Sequence, residues 1–323
     1  MRNKNFDSLK GALILLVVIG HVLLGALGSN TLRDIIYFFH MPLFLAVTGY
    51  FISNKTLAFT YVELSHKYWI RVVIPYIVAF LVYSISIALM SKITGDWYLL
   101  IDRNELPMIA AYLLYPYYHL WFIPAMLLYI VFIKSVYSSQ LLKVISFIVS
   151  FAFCVLYMTK VSLFNSDSVA NVMMLLGDKR YYSYYFYFFL GHILALNSSF
   201  KFIKVVLLVF FVSTLGYIFN SNMVVRGIFN VISNSCLIYG VFYLVSSSRQ
   251  LEVSILSRIG RVTLPIYLWH VLPIIAAKKL ILPYGELPYY AATFILMCSL
   301  VFFFVKAEGK FQILERLFYG NQK

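Results

Sequence analysis

Ten apolar stretches of about 17–23 residues, separated mostly by short polar loops, follow one another through this chain. A helix of about 20 residues rises about 30 Å, the hydrocarbon thickness of a bilayer. In lipid every backbone N–H and C=O must be satisfied within its own segment, so a chain with this pattern has little choice but to span a membrane as helices. The stretches fall at 8–28, 34–53, 72–94, 119–138, 141–160, 181–197, 201–220, 224–246, 262–281 and 287–306. They predict an all-α, polytopic bundle of about ten spanning helices. The bundle forms one transmembrane domain over 1–323, with no separate soluble domain. A composition of 62% hydrophobic and 12% charged residues, with a mean hydropathy of +0.86, excludes an ordinary soluble domain.

An even helix count puts both termini on one side, and charge says which side. With the N-terminus cytoplasmic, the inner segments hold 17 basic and 5 acidic residues, net +12, against 9 and 7 outside, net +2. This is the positive-inside asymmetry. The first apolar segment is too long for a cleaved signal peptide and lacks a small-residue cleavage site, so it is expected to be retained. The net charge of +14 suits anionic membrane lipid rather than nucleic acid. Two long outer loops are expected, at about 95–118 and 161–180. A short amphipathic tail, KFQILERLF from Lys310 to Phe318, is expected on the cytoplasmic membrane surface.

Chemistry in such a chain rests on the polar groups that apolar segments carry. The stretch FDSLKGALILLVVIGH runs from Phe6 to His21. Eleven residues of helix, about 16 Å of rise, separate Lys10 from His21. If Lys10 lies at one membrane surface, His21 lies near the midplane. An ionisable group at that depth faces a cavity or a polar partner. A histidine there is either a general base or a neutral side chain bonded to a neighbouring helix, and this stretch alone does not choose. His40 precedes Pro42 in FFHMPLF, where the proline kinks its helix. Lys67 and Arg71 stand one turn apart, able to clamp phosphates or to anchor the helix as ordinary inner-face cations. His119 and Trp121, in HLWFIPA, read as interfacial, and so does the aromatic run ending at His192. His270 reads as a hydrogen-bonded core histidine.

Several classes are disfavoured. No His pair at helical spacing beside a carboxylate marks a metal site, and no metal is expected. Phosphate-binding glycine loops and Gly-x-Ser-x-Gly elbows do not occur. Cys154, Cys236 and Cys298 lie in apolar segments without metal or disulfide spacing. The lack of a carboxylate deep in a helix argues against a proton pump. A transporter or flippase of a lipid-linked sugar or small metabolite fits ten helices, but no inverted repeat or matched pair of broken helices supports it.

Taken in order, five stretches resemble the acyltransferase 3 family of bacterial integral membrane O-acyltransferases, and most of all its compact fucose 4-O-acetylase-like branch. They are FDSLKGALILLVVIGH, FFHMPLFLAVTGYF, RVVIPY, HLWFIPA and IGRVTLPIYLWH. The resemblance implies an acetyl transfer from cytoplasmic acetyl-CoA, or another acyl-CoA, to a hydroxyl of an envelope or exported polysaccharide or its lipid-linked precursor. It implies a bacterial cytoplasmic (inner) membrane location. Acyl-CoA is a donor substrate in this reading and no cofactor is held permanently. His21, His119 and Lys10 become the catalytic candidates. Lys67 and Arg71 are expected on the acyl-CoA path, and His40, Trp121 and His270 at the substrate. The chain departs from larger members in having Lys67 and Arg71 where they carry paired arginines. It also lacks a glutamate in HLWFIPA and a fused esterase-like domain. A carrier that moves acyl groups across the membrane is the remaining alternative. Oligomeric state is open, a homodimer included.

Overall fold

The protein is described by a computed structural model over residues 3–26, 30–94, 114–117, 119–159, 177–196, 200–247 and 253–320. The expected outer loops fall largely outside these residues, apart from 114–117 and 177–180. Among the described residues all regular structure is helical. Five helices are long and apolar enough to cross a membrane: Lys4–Leu23, Tyr61–Leu89, Gln140–Thr159, Met223–Ser247 and Glu286–Ala307. The broken pair Ser254–Arg261 and Thr263–Leu280, counted as one span, makes a sixth.

Each of the ten apolar windows contains helix, but several fall short of a span for visible reasons. The helix Phe122–Val136 begins three residues after His119. Tight turns precede it, with Leu120 N–H donating to Tyr117 and Phe122 N–H to His119, and Pro124 sits in the first helical turn, where its missing N–H costs nothing. The window 181–197 holds Arg180–Ser183 and Tyr185–Leu196, and 201–220 holds the 17-residue Ile203–Phe219. Thr31–Tyr50 has 20 residues but carries Arg33, Asp34 and His40.

Helix starts follow local chemistry. Asn3 Oδ1 accepts from the backbone N–H of Asn5 and Phe6, capping Lys4–Ala26, and Asp7 in the first turn complements the positive end of that helix. Ser53 Oγ accepts from Thr56 N–H and caps Asn54–Ala58. Tyr61–Tyr68 continues through a π-helical turn, Trp69–Val73, into Ile74–Thr94. The turn precedes Pro75, which has no N–H to give the Arg71 carbonyl four residues back.

The chain divides into two packed units, and the first contains residues 1–17, 31–60 and 125–261. Within it, backbones approach closely at glycine. A Cβ on Gly49 would collide with the Phe188 carbonyl, and one on Gly191 with the Ala46 carbonyl, so Thr31–Tyr50 and Tyr185–Leu196 pack backbone to backbone. Most of the aromatic run 181–189 is buried here, with Tyr182 and Tyr184 half-buried, and His192 Nδ1 sits 2.9 Å from the Ile52 carbonyl. Ser213, Thr214 and Ser233 hydroxyls bond one another between Ile203–Phe219 and Met223–Ser247.

The second unit contains residues 18–30, 61–124 and 262–323. Its helices include Ile74–Thr94, Thr263–Trp269, Val271–Leu280 and Glu286–Ala307. The break at His270 is one of hydrogen bonding only: Thr263–Leu280 runs on as a helix through His270, whose φ −65° and ψ −28° are helical, but Pro273 cannot donate to the Trp269 carbonyl. The tail, expected on the membrane surface, folds back into this unit, with Glu315 and Tyr319 buried.

Candidate functional site

Three histidines from distant parts of the sequence meet inside the second unit. His21 comes from the Lys4–Ala26 helix, His119 from the turns ahead of Phe122–Val136, and His270 from the proline-induced break. Ring centroids are 4.7 Å apart for His119 and His270, 5.1 Å for His21 and His270, and 6.1 Å for His21 and His119. One hydroxyl or water oxygen can bridge imidazoles at such separations.

The ring nitrogens are not equivalent. His270 Nδ1 lies 3.1 Å from the Ile266 carbonyl and 2.8 Å from that of Tyr267. Carbonyls only accept, so Nδ1 carries the proton and the neutral ring presents a lone pair at Nε2. That Nε2 is buried and has no hydrogen-bond partner among the described residues; both nitrogens of His119 are buried too and make no hydrogen bond of good geometry, with the Tyr267 and Leu268 backbone beside them. His119 is 4% exposed and His270 0%, whereas His21 is half-buried. Leaving a buried polar group unpaired costs about 1–3 kcal/mol. Such nitrogens beside one another are candidates to bond a polar reactant. Among the described residues no group of three or more His, Cys, Asp or Glu is arranged to hold a metal.

Tyrosines set the backbone around the trio. The Tyr267 hydroxyl donates to the His119 carbonyl, and its ring stands 5.1 Å from the imidazole. The Tyr289 hydroxyl donates at 3.1 Å to the carbonyl of Val22, the residue after His21. Tyr83, fully buried, places its ring 5.5 Å from His119. None of the three stands out in a chain with 27 tyrosines. Only the proximity of Tyr267 to His270 in IGRVTLPIYLWH offered a signal.

The other expected residues are dispersed. Lys10, in the first unit, pairs with Asp7 at 2.7 Å and lies 4.9 Å from the Phe51 ring centroid. Asp7 is 2% exposed, so the lysine charge answers a buried carboxylate. The i,i+3 spacing of the two was a readable sign of this. His40, also in the first unit, is buried, with Nδ1 2.7 Å from the Ile36 carbonyl and its ring 4.9 Å from Tyr37. In the second unit Trp121 is buried, its ring 6.2 Å from Phe122. Lys67 is half-buried at the end of Tyr61–Tyr68, 5.6 Å from the Tyr68 ring, and Arg71 is exposed on the π-helical turn.

Comparison with known proteins agrees with this arrangement of motifs. A family profile described as an acyltransferase domain matches residues 3–306. Nodulation protein NolL of Sinorhizobium fredii is 37% identical over 81 residues, covering 23% of this chain and 22% of that protein. NolL of Mesorhizobium japonicum is 43% identical over 63 residues, 17% of each chain. The aligned region thus spans about a fifth of these curated relatives. No solved structure matches the chain. With nearly its whole length covered by the profile, the chain belongs to the acyltransferase 3 family.

Proposed function

We propose that this membrane acyltransferase moves an acetyl group from acetyl-CoA at the cytoplasmic face to a hydroxyl of an envelope or exported polysaccharide sugar. The observation that carries the reading is the convergence of His21, His119 and His270, two of them with open buried nitrogens. His21 takes the proton of the sugar hydroxyl. The freed oxygen attacks the thioester carbonyl, the C–S bond breaks, and the CoA thiolate recovers the proton from the imidazolium. His119 and His270 bind the acceptor hydroxyl or pass its proton on. Lys67 and Arg71 hold the CoA phosphates. Lys10, paired with Asp7 and about 16 Å of helix from His21, helps to orient the donor and leaves the oxyanion to others. His40 and Trp121 border the substrates.

Ten spans with both termini cytoplasmic, in a bacterial cytoplasmic membrane, accompany this reading, and the inner net charge of +12 supports it. Acyl-CoA, the glycan and surrounding lipid are the partners, and acyl-CoA is consumed rather than retained. Purified protein supplied with radiolabelled acetyl-CoA and candidate glycans should release CoA only when acceptor is present. His21→Ala should abolish that release while the protein still inserts. A fully acetylated glycan from the His21→Ala protein would sink the assignment, and substrate movement without CoA release would mark a transporter instead.

A further inference from the structure

The segment Gln312–Gly320 lies beyond the residues matched by the family profile, and the reaction above gives it no part. Yet it is anchored at several points within the second unit. Glu315 Oε1 accepts from Gly309 N–H at 2.6 Å, closing the turn that brings the chain back. The Tyr319 hydroxyl donates at 2.6 Å to the Phe304 carbonyl, and burial, with Glu315 and Glu308 nearby, pushes this phenol above its ordinary range, so it stays a donor. Phe318 stacks on Trp269, with centroids 5.0 Å apart and planes 30° apart. Gly320 has φ +64° and lies so close to the Arg71 carbonyl that a Cβ would collide with it.

The two far contacts share a property. Trp269 immediately precedes His270, and Pro273 deprives its carbonyl of the usual helical donor. Arg71 sits on the π-helical turn, and Pro75 deprives its carbonyl in the same way. A regular helix holds its own geometry, whereas a turn with an interrupted hydrogen-bond ladder takes its geometry from what packs against it. The tail packs against both interrupted turns. One carries a proposed proton carrier and the other a proposed phosphate ligand.

We propose that residues 312–320 form a strap that holds the Arg71 turn and the His270 break in their working positions, with Gly320 and Phe318 as positioning residues. The strap's role in turnover rests on the reading of Arg71 and His270 given above. Neither residue needs to touch substrate. Gly320 admits no side chain, both because its φ is positive and because the Arg71 carbonyl occupies the space. Phe318 needs an aromatic face toward Trp269, which tyrosine also supplies.

The test uses the full chain in lipid nanodiscs, with acetyl-CoA and an acceptor glycan. It pairs steady-state kinetics with hydrogen exchange of the amides of 69–76 and 266–273. Gly320→Val should raise KM for acetyl-CoA about tenfold with a smaller effect on kcat, the response expected when a binding turn is displaced. Phe318→Ala should lower kcat, and Phe318→Tyr should restore it. Exchange should speed up around Arg71 in the first variant and around His270 in the second. Parent-like kinetics and exchange in both Gly320→Val and Phe318→Ala would overturn the strap. Exchange needs no turnover. A parent protein without acyl transfer therefore defeats the functional reading, and the exchange data still decide the strap. If Gly320→Val does not accumulate in membranes, the comparison of Phe318→Ala with Phe318→Tyr decides it.

Discussion

A hydroxyl that holds a backbone carbonyl beside a side chain proposed to react contributes through position, and Tyr289 and Tyr267 make such bonds beside His21 and at His119. Removing the Tyr289 hydroxyl leaves the Val22 carbonyl without that donor at a net cost of about 0.5–1.5 kcal/mol, while the ring still fills its site. Tyr289→Phe should therefore lower thermal stability in detergent by a few degrees and reduce kcat about tenfold, since small displacements of a catalytic group are expensive in rate. An unchanged kcat would show that Val22 needs no such tether. The histidines themselves were legible: a lone imidazole in an apolar run invites attention wherever it occurs. Their division of labour was not. Read singly, His21 is a base or a bonded neutral residue, His119 an interfacial residue and His270 a core residue, because which imidazoles share a site depends on pairings about a hundred or more residues apart. His192 looked no different in sequence, yet it spends Nδ1 on the Ile52 carbonyl in the other unit. Lys10 was a catalytic candidate by resemblance alone, and the spacing to Asp7 hinted at a pair without showing that the carboxylate is buried.

Elements carry the site through their irregularities. His270 sits where the helix Thr263–Leu280 lacks one ladder hydrogen bond, and that gap traces to Pro273. Pro273→Ala restores an N–H within reach of the Trp269 carbonyl and stiffens the helix around His270. This should leave expression intact or improved, reduce acyl transfer about tenfold or more, and strengthen amide protection around 269–273. Full activity with stronger protection would separate the break from the chemistry. At a different interface, Gly49→Leu should break the backbone contact between Thr31–Tyr50 and Tyr185–Leu196, because the Phe188 carbonyl occupies the space a side chain needs. The cost should reach the several kcal/mol of an overpacked core, read as loss of folded protein by size-exclusion of detergent extracts. Hydropathy windows found a helix in every expected stretch, since burial in lipid and burial in protein reward the same residues. For that reason the windows did not tell the 15-residue Phe122–Val136 from the spanning Gln140–Thr159. Prolines and glycines, which a window averages away, hold that information.

At the scale of the whole molecule the proposed topology sorts charge across a membrane. Basic residues outnumber acidic ones 17 to 5 on the proposed inner side and only 9 to 7 on the outer. An anionic donor such as acyl-CoA is drawn to the first, while a glycan acceptor need not be. Insertion follows the same bias, because lysine and arginine near short loops are retained in the cytoplasm. The proposed ten crossings would place Lys55 inside and Asp102 outside. Cysteine substituted at each, in a background where Cys154, Cys236 and Cys298 are replaced by serine or alanine, reports its side through a membrane-impermeant maleimide. Whole cells whose outer membrane, if they have one, has been permeabilised should label Asp102→Cys at once and Lys55→Cys only after lysis. The reverse pattern would place the basic face outside, where no acyl-CoA pool exists, and the proposed donor would fall with the topology. If both positions label in intact cells, residues 72–94 do not cross and the side assigned to Lys55 is wrong as well, so the inner charge excess would need recounting from the N-terminus.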